Sequence, residues 1–243
     1  LVPTAGLVLR SLLSVVEDLQ IANMGGDGLR LTSVSANGTR ITNSQVNGRI
    51  SDNFITNSGR HGVFVEDPGN SVTDWTLSDN WIANSGVDGV HLDNAAGWVV
   101  ERNHIYGVPH NAIYAHRIFA TSICDNYLET FGETTEAGTW CGIVATVQGA
   151  AASTIAHNRI FNFGLEKQVD SVYRYLALSV NYGQGVVIVS GNAIRGAGTP
   201  RGTGLYYTAG EKQGLTVVST GNAVEGVGTP RFSEGHVVVT AGQ

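Results

Sequence analysis

Three segments of this chain, IANMGGDGLRL (Ile21 to Leu31), ITNSGRHGVFV (Ile55 to Val65) and IANSGVDGVHL (Ile82 to Leu92), are versions of one eleven-residue unit. Each reads as a short apolar strand, a polar turn with glycine and a second short strand. A degenerate copy, HIYGVPHNAIYA, runs from His104 to Ala115. Self-similarity of this kind obliges the chain to fold by repetition, because one such unit cannot bury its apolar face alone. A second marker precedes the unit: an Asn after a small or acidic residue, as in DNF, DNW, RNH, DNY, HNR, GNA and GNA, at Asn53, Asn80, Asn103, Asn126, Asn158, Asn192 and Asn222, spaced by 27, 23, 23, 32, 34 and 30 residues. The strands are three to five residues long and rich in Val, Ile and Tyr, and no helical period is sustained. This combination predicts an all-β fold, a single-stranded right-handed parallel β-helix in which successive coils stack roughly 4.8 Å apart. The asparagines are expected to take the left-handed conformation at the turns and to stack as a ladder of amides. Residues 1–243 read as one β-helix domain. The first residue is Leu, no signal peptide is visible and the closing HVVVTAGQ reads as a strand, so the chain is expected to be the central part of a longer protein.

Composition narrows the partners. Only 14% of residues are charged and the net charge is −6, with Lys and Arg scattered, so no basic surface is expected to follow a phosphate backbone. Nucleic acid is therefore not expected as a partner. The longest apolar run, Gly6 to Val16, is broken by Arg10 and two serines and falls short of the roughly 18 residues of a membrane span, so no membrane partner is expected either. Cys124 and Cys141 lie seventeen apart, a spacing that fits neither a disulfide framework nor a metal knuckle, and they read as free thiols. No GxSxG elbow, P-loop or strand-to-helix GxGxxG is present. Without HxH, HExxH or a clustered Asp run, no metal and no cofactor are expected, a calcium site among loose carboxylates being the one metal reading left open.

Candidate chemistry gathers where the coils deviate, since a solenoid's stacked interior is committed to packing. Against the 23-residue spacing, the interval from Asn126 to Asn158 has nine extra residues, assigned to 131–139, and the next has eleven, assigned to 165–175. Two loops are thus expected to overhang one side. The stretch CDNYLETFGETTEAGTWCG places Asp125, Glu129, Glu133 and Glu136 within twelve positions. Asp125 has a structural reading as well, because Asp52 and Asp79 occupy the same DN element. A carboxylate fixed on a coil turn and a second on an overhanging loop would have their pKa values pushed apart, giving the base and acid that glycosidic cleavage needs. Aligned strand ends put Phe64, His91 and Tyr114 in one outward column and Glu66, Asp93 and His116 in the next. Rings beside polar groups suit a sugar surface; the alternative is a solvated flank.

The runs GVHLDNAAGWVVERNHIYGVP, CDNYLETFGETTEAGTWCGI and AASTIAHNRIFNFG resemble the central β-helix of bacterial inulin fructotransferases and the related difructose anhydride hydrolases, across roughly residues 52–164. The resemblance implies a homotrimer with sites near subunit boundaries and an Asp and a Glu eleven positions apart. Asp125 and Glu136 match that spacing as catalytic pair, with Glu133 the nearest competitor for the second place. It further implies that a hydroxyl of the terminal fructose of inulin attacks the neighbouring anomeric carbon and releases a difructose dianhydride, III favoured over I. Glu136 would protonate the departing oxygen and Asp125 accept the attacking hydroxyl's proton, or the reverse. His91, Asp93, Tyr114, His116, Arg117 and Glu133 are the substrate-binding candidates, with a fructan or a difructose anhydride as substrate and a secreted, extracellular bacterial setting. The paired-Asp and GHG signatures of polygalacturonases and the Asp and Arg pattern of calcium pectate lyases are absent. Two other readings stand beside the transferase: a difructose anhydride III hydrolase on the same carboxylates, and a non-catalytic carbohydrate-binding or tailspike-like β-helix.

Overall fold

A computed structural model describes residues 4–163, 170–198 and 200–241. Among these residues every strand-to-strand ladder is parallel, the antiparallel pairing being confined to one isolated bridge, Val34 to Arg40. Each coil contributes a strand to three faces in turn. One middle coil runs Val63–Glu66 on the first face, Thr76–Ser78 on the second and Trp81–Ala83 on the third. The next coil pairs with it residue for residue through Val90–Leu92, Val99–Glu101 and His104–Val108. Two long strands, Thr139–Ala156 and Val172–Ser190, bend from the first face to the second without a break, which joins these faces into one sixteen-stranded sheet beside the eight-stranded third face. No helix among the described residues is long and apolar enough to cross a membrane.

Strand alternation sends every second side chain inward, and stacking turns these positions into columns of like residues. On the first face Leu29, Val63, Val90, Ile113, Ile143, Leu176 and Leu205 are in register. On the third, Ile21, Ile55, Ile82, Ile105, Leu128, Ile160 and Ile194 do the same. All are buried. Where the second face approaches, Trp75 and Trp98 stack with ring centres 6.1 Å apart, and their indole N–H groups donate to the carbonyls of Gln45 and Val72. The corner from third to first face is too tight for a side chain: a Cβ on Gly62 would run into Ile82 and the Gly89 carbonyl oxygen of the next coil. The glycine of the repeat unit is therefore required by close approach of coils.

The asparagine column forms the expected ladder. In each of Asn53, Asn80, Asn103, Asn126, Asn158 and Asn192 the backbone N–H and the side-chain Nδ2 both donate to Oδ1 of the next Asn, at 2.9–3.1 Å, ending on Asn222. Its conformation corrects the sequence reading. The left-handed residue is the one before each Asn: Asp52 (φ 58°), Asp79 (59°), Arg102 (52°), Asp125 (58°) and His157 (56°), then Gly191 and Gly221. The chain turns on the exposed residue, and the Asn that follows points its amide inward.

The extra residues of the 32-residue interval are also placed differently. From Val108 to Ala112 the chain takes four steps, and from their partners Phe131 to Gly142 it takes eleven, so most of the insertion is at this corner. Ile118 to Ser122 takes four steps and Val147 to Thr154 seven, so the rest falls at the first-to-second corner. Phe131 itself is core. Of the second expected loop, residues 165–169 lie outside the described residues, and Tyr173 and Tyr175 are strand residues buried against Phe131, not an overhang.

Asn103 donates to Leu77 O and Asn126 Oδ1 and accepts two bonds from Asn80. Asn103→Ala strands the two buried donors of Asn80 and removes the amide bonds to Leu77 O and Asn126 Oδ1, which should cost about 2–4 kcal/mol. Asn222→Ala, at the end of the ladder, should cost less. Urea denaturation of the two variants checks this, and equal losses would show that the ladder contributes nothing beyond its individual bonds.

Candidate functional site

The residue just before the corner glycine lies at an equivalent position in each coil. Backbone bonds from Gly28 to His61, Gly62 to Asp88, Gly89 to Asn111 and Ala112 to Cys141 align Asp27, His61, Asp88, Asn111 and Cys141 in one column. Three residues further on, Arg30, Phe64, His91 and Tyr114 are in register along the outer side of the first face. The two columns meet in a dense patch. His91 Nδ1 is 2.7 Å from Asp88 Oδ2 and its Nε2 is 3.3 Å from Asp93 Oδ1. His61 Nδ1 is 3.6 Å from the same Asp88 oxygen. Asp88 Oδ1 accepts both the backbone N–H and the side-chain amide of Asn111, each at 2.9 Å.

Rings enclose these polar atoms. The His91 imidazole stacks on Tyr114 at 4.3 Å, and His61 is 4.7 Å from His91 and 4.9 Å from Phe64. Arg30 and Arg60 lie over the Phe64 ring, and both guanidiniums face Asp27, at 3.1 and 3.9 Å. Asp88 and His61 are almost wholly covered, with side chains 5% and 7% exposed, whereas Asp93 is 42% exposed. The patch is therefore a buried carboxylate and imidazole whose outlet to solvent is His91 and Asp93.

Environment separates the two histidines. Burial drives the His61 pKa down to about 4, the charge of Asp88 offsetting only part of this. Burial also works against the proton on His91, but its hydrogen bonds and charge attraction to Asp88 and Asp93 prevail and hold it up at about 9. Asp88 stays below the usual carboxylate range because the bonds from His91 and Asn111 outweigh its burial. Tyr114 is pushed up by burial and by Asp93 and Asp88. Cys141 is pushed up to about 12 by burial, so its thiol is no nucleophile. Both cysteines are free, as their spacing implies.

Of the residues singled out from sequence, His91, Asp93 and Tyr114 come together here. His116 stands beside them, its pKa lowered by burial against a hydrogen bond that its ring donates to Asn181, and it lies within the fields of Arg117, Asp93 and His91. Arg117 is turned away: it is left-handed (φ 62°), and its Nε donates to Gln148 at the corner toward the second face. The acidic stretch does not converge within one chain. Asp125 is an exposed corner residue with the His157 imidazole 4.0 Å away. Glu129 is on the outer side of the third face with Tyr127 and His104. Glu133 and Glu136 are exposed on the insertion, where Glu133 N donates to Val108 O and Glu136 N to Thr134 Oγ1. The five-residue strand Tyr127–Phe131 separates Asp125 from Glu136, roughly 16 Å of extended chain. Sequence reasoning missed His61 and Asp88; the aligned units GDG, RHG and VDG carry the signal in the position before the last glycine.

A second row of rings crosses the third face: Phe54 and Trp81 stack at 6.3 Å, Trp81 meets His104 at 4.2 Å, and His104 meets Tyr127 at 4.6 Å. It is more exposed than the first-face patch and holds one imidazole–carboxylate pair, His104 with Glu129.

Fold and patch together define a parallel β-solenoid with a ring-lined, titratable site on one flank. The chain belongs to the right-handed β-helix family, whose "Right handed beta helix region" it matches over residues 5–194. No curated protein sequence matches it. Among solved structures it is similar to the enzymatically active domain of tailspike protein 2 of bacteriophage CBA120, with a TM-score of 0.54 and 10% identity over 91% of this chain and 39% of that one. At that identity the likeness is one of fold, and this chain spans well under half of that domain.

The two histidines generate opposite pH limbs, measurable in buffer with a chelator. Between about pH 4 and 6.5 the unfolded chain holds a proton at position 61 that the fold excludes, so stability rises with pH. Between 6.5 and about 9 the folded chain holds a proton on His91 that the unfolded chain has released, so stability falls. His61→Gln should flatten the acid limb and His91→Gln the alkaline limb of urea midpoint against pH. Limbs unchanged in the variants would assign the pH dependence elsewhere.

Proposed function

We propose that this protein is a carbohydrate-acting enzyme whose sugar site is the first-face patch around His91, Asp93 and Tyr114. The observation that carries the reading is the side-by-side arrangement of a ring column, Phe64, His91 and Tyr114, with an exposed carboxylate, Asp93, and a half-buried imidazole, His116. Rings accept the apolar face of a sugar, and the polar column its hydroxyls. Farther along the same face Tyr206 and Phe232 stack at 5.2 Å, with Arg174 over Tyr206 at 3.6 Å, which extends the surface in the direction a chain-like glycan would run. The tailspike domain with a similar fold is described as enzymatically active.

The substrate class we infer is a fructan, on the strength of the resemblance across residues 52–164, with intramolecular transfer to a difructose dianhydride as the reaction. In that reaction a fructose hydroxyl attacks the neighbouring anomeric carbon, the bond to the remaining chain breaks, and one proton moves from the attacking to the departing oxygen. Asp93 and His91 are the groups at the surface of the patch able to handle that proton. Asp125 and Glu136 could share a substrate only across a boundary between two chains, as a trimer would provide.

Chromatography of products from inulin and from difructose anhydride III tests the reading. Asp93→Asn and His91→Gln should lose at least 100-fold in rate, a typical loss for a proton-transferring group, while Asp125→Asn and Glu136→Gln stay near normal. The opposite pattern would move the site to a chain boundary. Dianhydride from inulin indicates transfer, fructose from the anhydride indicates hydrolysis, and sugar affinity with no product would leave a binding protein.

A further inference from the structure

We propose that His61, Asp88 and His91 form a binding site for one divalent transition-metal ion, with zinc the ion that suits the donors. The three side chains offer ligand atoms that all lie within 4.8 Å of one another, and Nδ1 is the nitrogen that each histidine turns to Asp88 Oδ2. The site shares His91 and its partner Asp93 with the glycan reading but does not rest on that reading: an ion held on the His91 ring nitrogen facing Asp88 would leave proton transfer to Asp93, and metal titration without sugar reads the site by itself.

Four features support it. First, the donor atoms are close to coordination spacing. Bonds of about 2.0 Å at tetrahedral angles place ligand atoms roughly 3.3 Å apart. The observed separations from Asp88 Oδ2 are 3.6 Å to His61 and 2.7 Å to His91, on either side of that spacing, and the two imidazoles offer nitrogens within 4.8 Å of each other. Second, one contact lacks a proton. The Asp88 backbone N–H points at His61 Nδ1 from 3.4 Å, which makes that nitrogen an acceptor, yet it faces a carboxylate oxygen that also only accepts. A cation between them removes the conflict.

Third, the outer contacts are those that orient metal ligands. Asp93 takes the other N–H of His91, and Asn111 takes the other oxygen of Asp88 with two N–H groups. Phe64 and His91 fix the His61 ring from its neighbours. Fourth, the charges leave room for a dication. The groups facing the site are the carboxylates of Asp27, Glu66, Asp88 and Asp93 and the guanidiniums of Arg30 and Arg60, which with neutral histidines leaves two negative charges over. Two imidazoles and one carboxylate favour zinc over calcium or magnesium, which prefer all-oxygen shells. The side of His91 that meets solvent, beside Asp93 and Tyr114, leaves a coordination position for water or a hydroxyl.

Calorimetric titration of the metal-stripped full chain with zinc chloride should give one ion per chain, with no comparable binding of calcium. His61→Gln and Asp88→Asn should abolish it. Asp93→Asn, which changes only an outer contact, should weaken it 10- to 100-fold. His104→Gln, on the third face, should leave it unchanged. Cobalt(II) added to the wild-type chain tests the site without any variant: an intense visible band of four- or five-coordinate cobalt is expected. A spectrum equal to that of the free hydrated ion, or zinc affinity that survives loss of His61 in a folded variant, overturns the proposal.

Discussion

Everything in this molecule depends on the requirement that each coil return to the register of the one before it. Parallel stacking satisfies backbone groups only between neighbouring coils, so a slip of one residue would turn the aliphatic columns outward. The asparagine ladder is where that register is held at the corner between second and third faces. Each amide is used on both sides: its Oδ1 accepts two bonds from the previous coil, and its Nδ2 gives one back to a carbonyl of that coil and one onward to the next Asn, and all the links up to Asn192 are buried. Unsatisfied, any one of these amides would cost more than it contributes when paired. The ladder is therefore an all-or-none device, and the coils between its rungs are free to differ in length only where they leave the faces.

That freedom explains the distribution of chemistry. Extra residues collect at corners, at 132–138 and 148–152, and the faces keep their pairing through them. A site on a face is consequently assembled from several coils, each giving one or two side chains. Stacking also buries what one coil alone would expose. His61 and Asp88 point outward from the core, yet they are covered by the residues above and below, by Phe64, His91 and Asn111. Their shifted proton affinities follow from this covering and are not features of the strands that carry them.

The repeat, the stacked parallel coil and the ladder are legible in the sequence because each is written in residues that recur at a measurable spacing, whereas the division of a coil into three faces is not. The ring column is legible too, since Phe64, His91 and Tyr114 align when the units are aligned. Which residue turns the corner is not. Asp52, Asp79, Arg102 and Asp125 adopt left-handed geometry that composition alone assigns to the asparagine beside each of them. The acidic stretch misleads for a related reason. Closeness along the chain is separation in space when a strand intervenes: Asp125 and Glu136 stand at two corners of one coil, while His61 and Asp88, 27 positions apart, meet across one stacking step. Tyr173 and Tyr175 look like loop residues because an insertion precedes them, and their burial comes from Phe131, which no local pattern in their own segment announces.

The order of residues in the buried column carries a further constraint. Reading up the stack it runs Asp27, His61, Asp88, Asn111, so no two carboxylates are on adjacent coils. Like charges about 5 Å apart would repel by about 3 kcal/mol at the effective dielectric of a protein's edge, and by more when covered. At the exposed corner the rule is relaxed: Asp52 and Asp79 are neighbours there, in reach of water and with Arg102 paired to Asp79 at 2.8 Å. The alternation of acid with imidazole and amide in the covered column is thus what a stack must adopt to hold ionisable groups away from solvent. Such a column has little purpose in a purely structural coil, where Ser, Thr or Asn would satisfy the same turn without the electrostatic cost. Its presence on three consecutive coils, opening to solvent through His91 and Asp93 alone, is the strongest physical reason to place function on the first face and not on the more acidic but scattered stretch that follows Cys124.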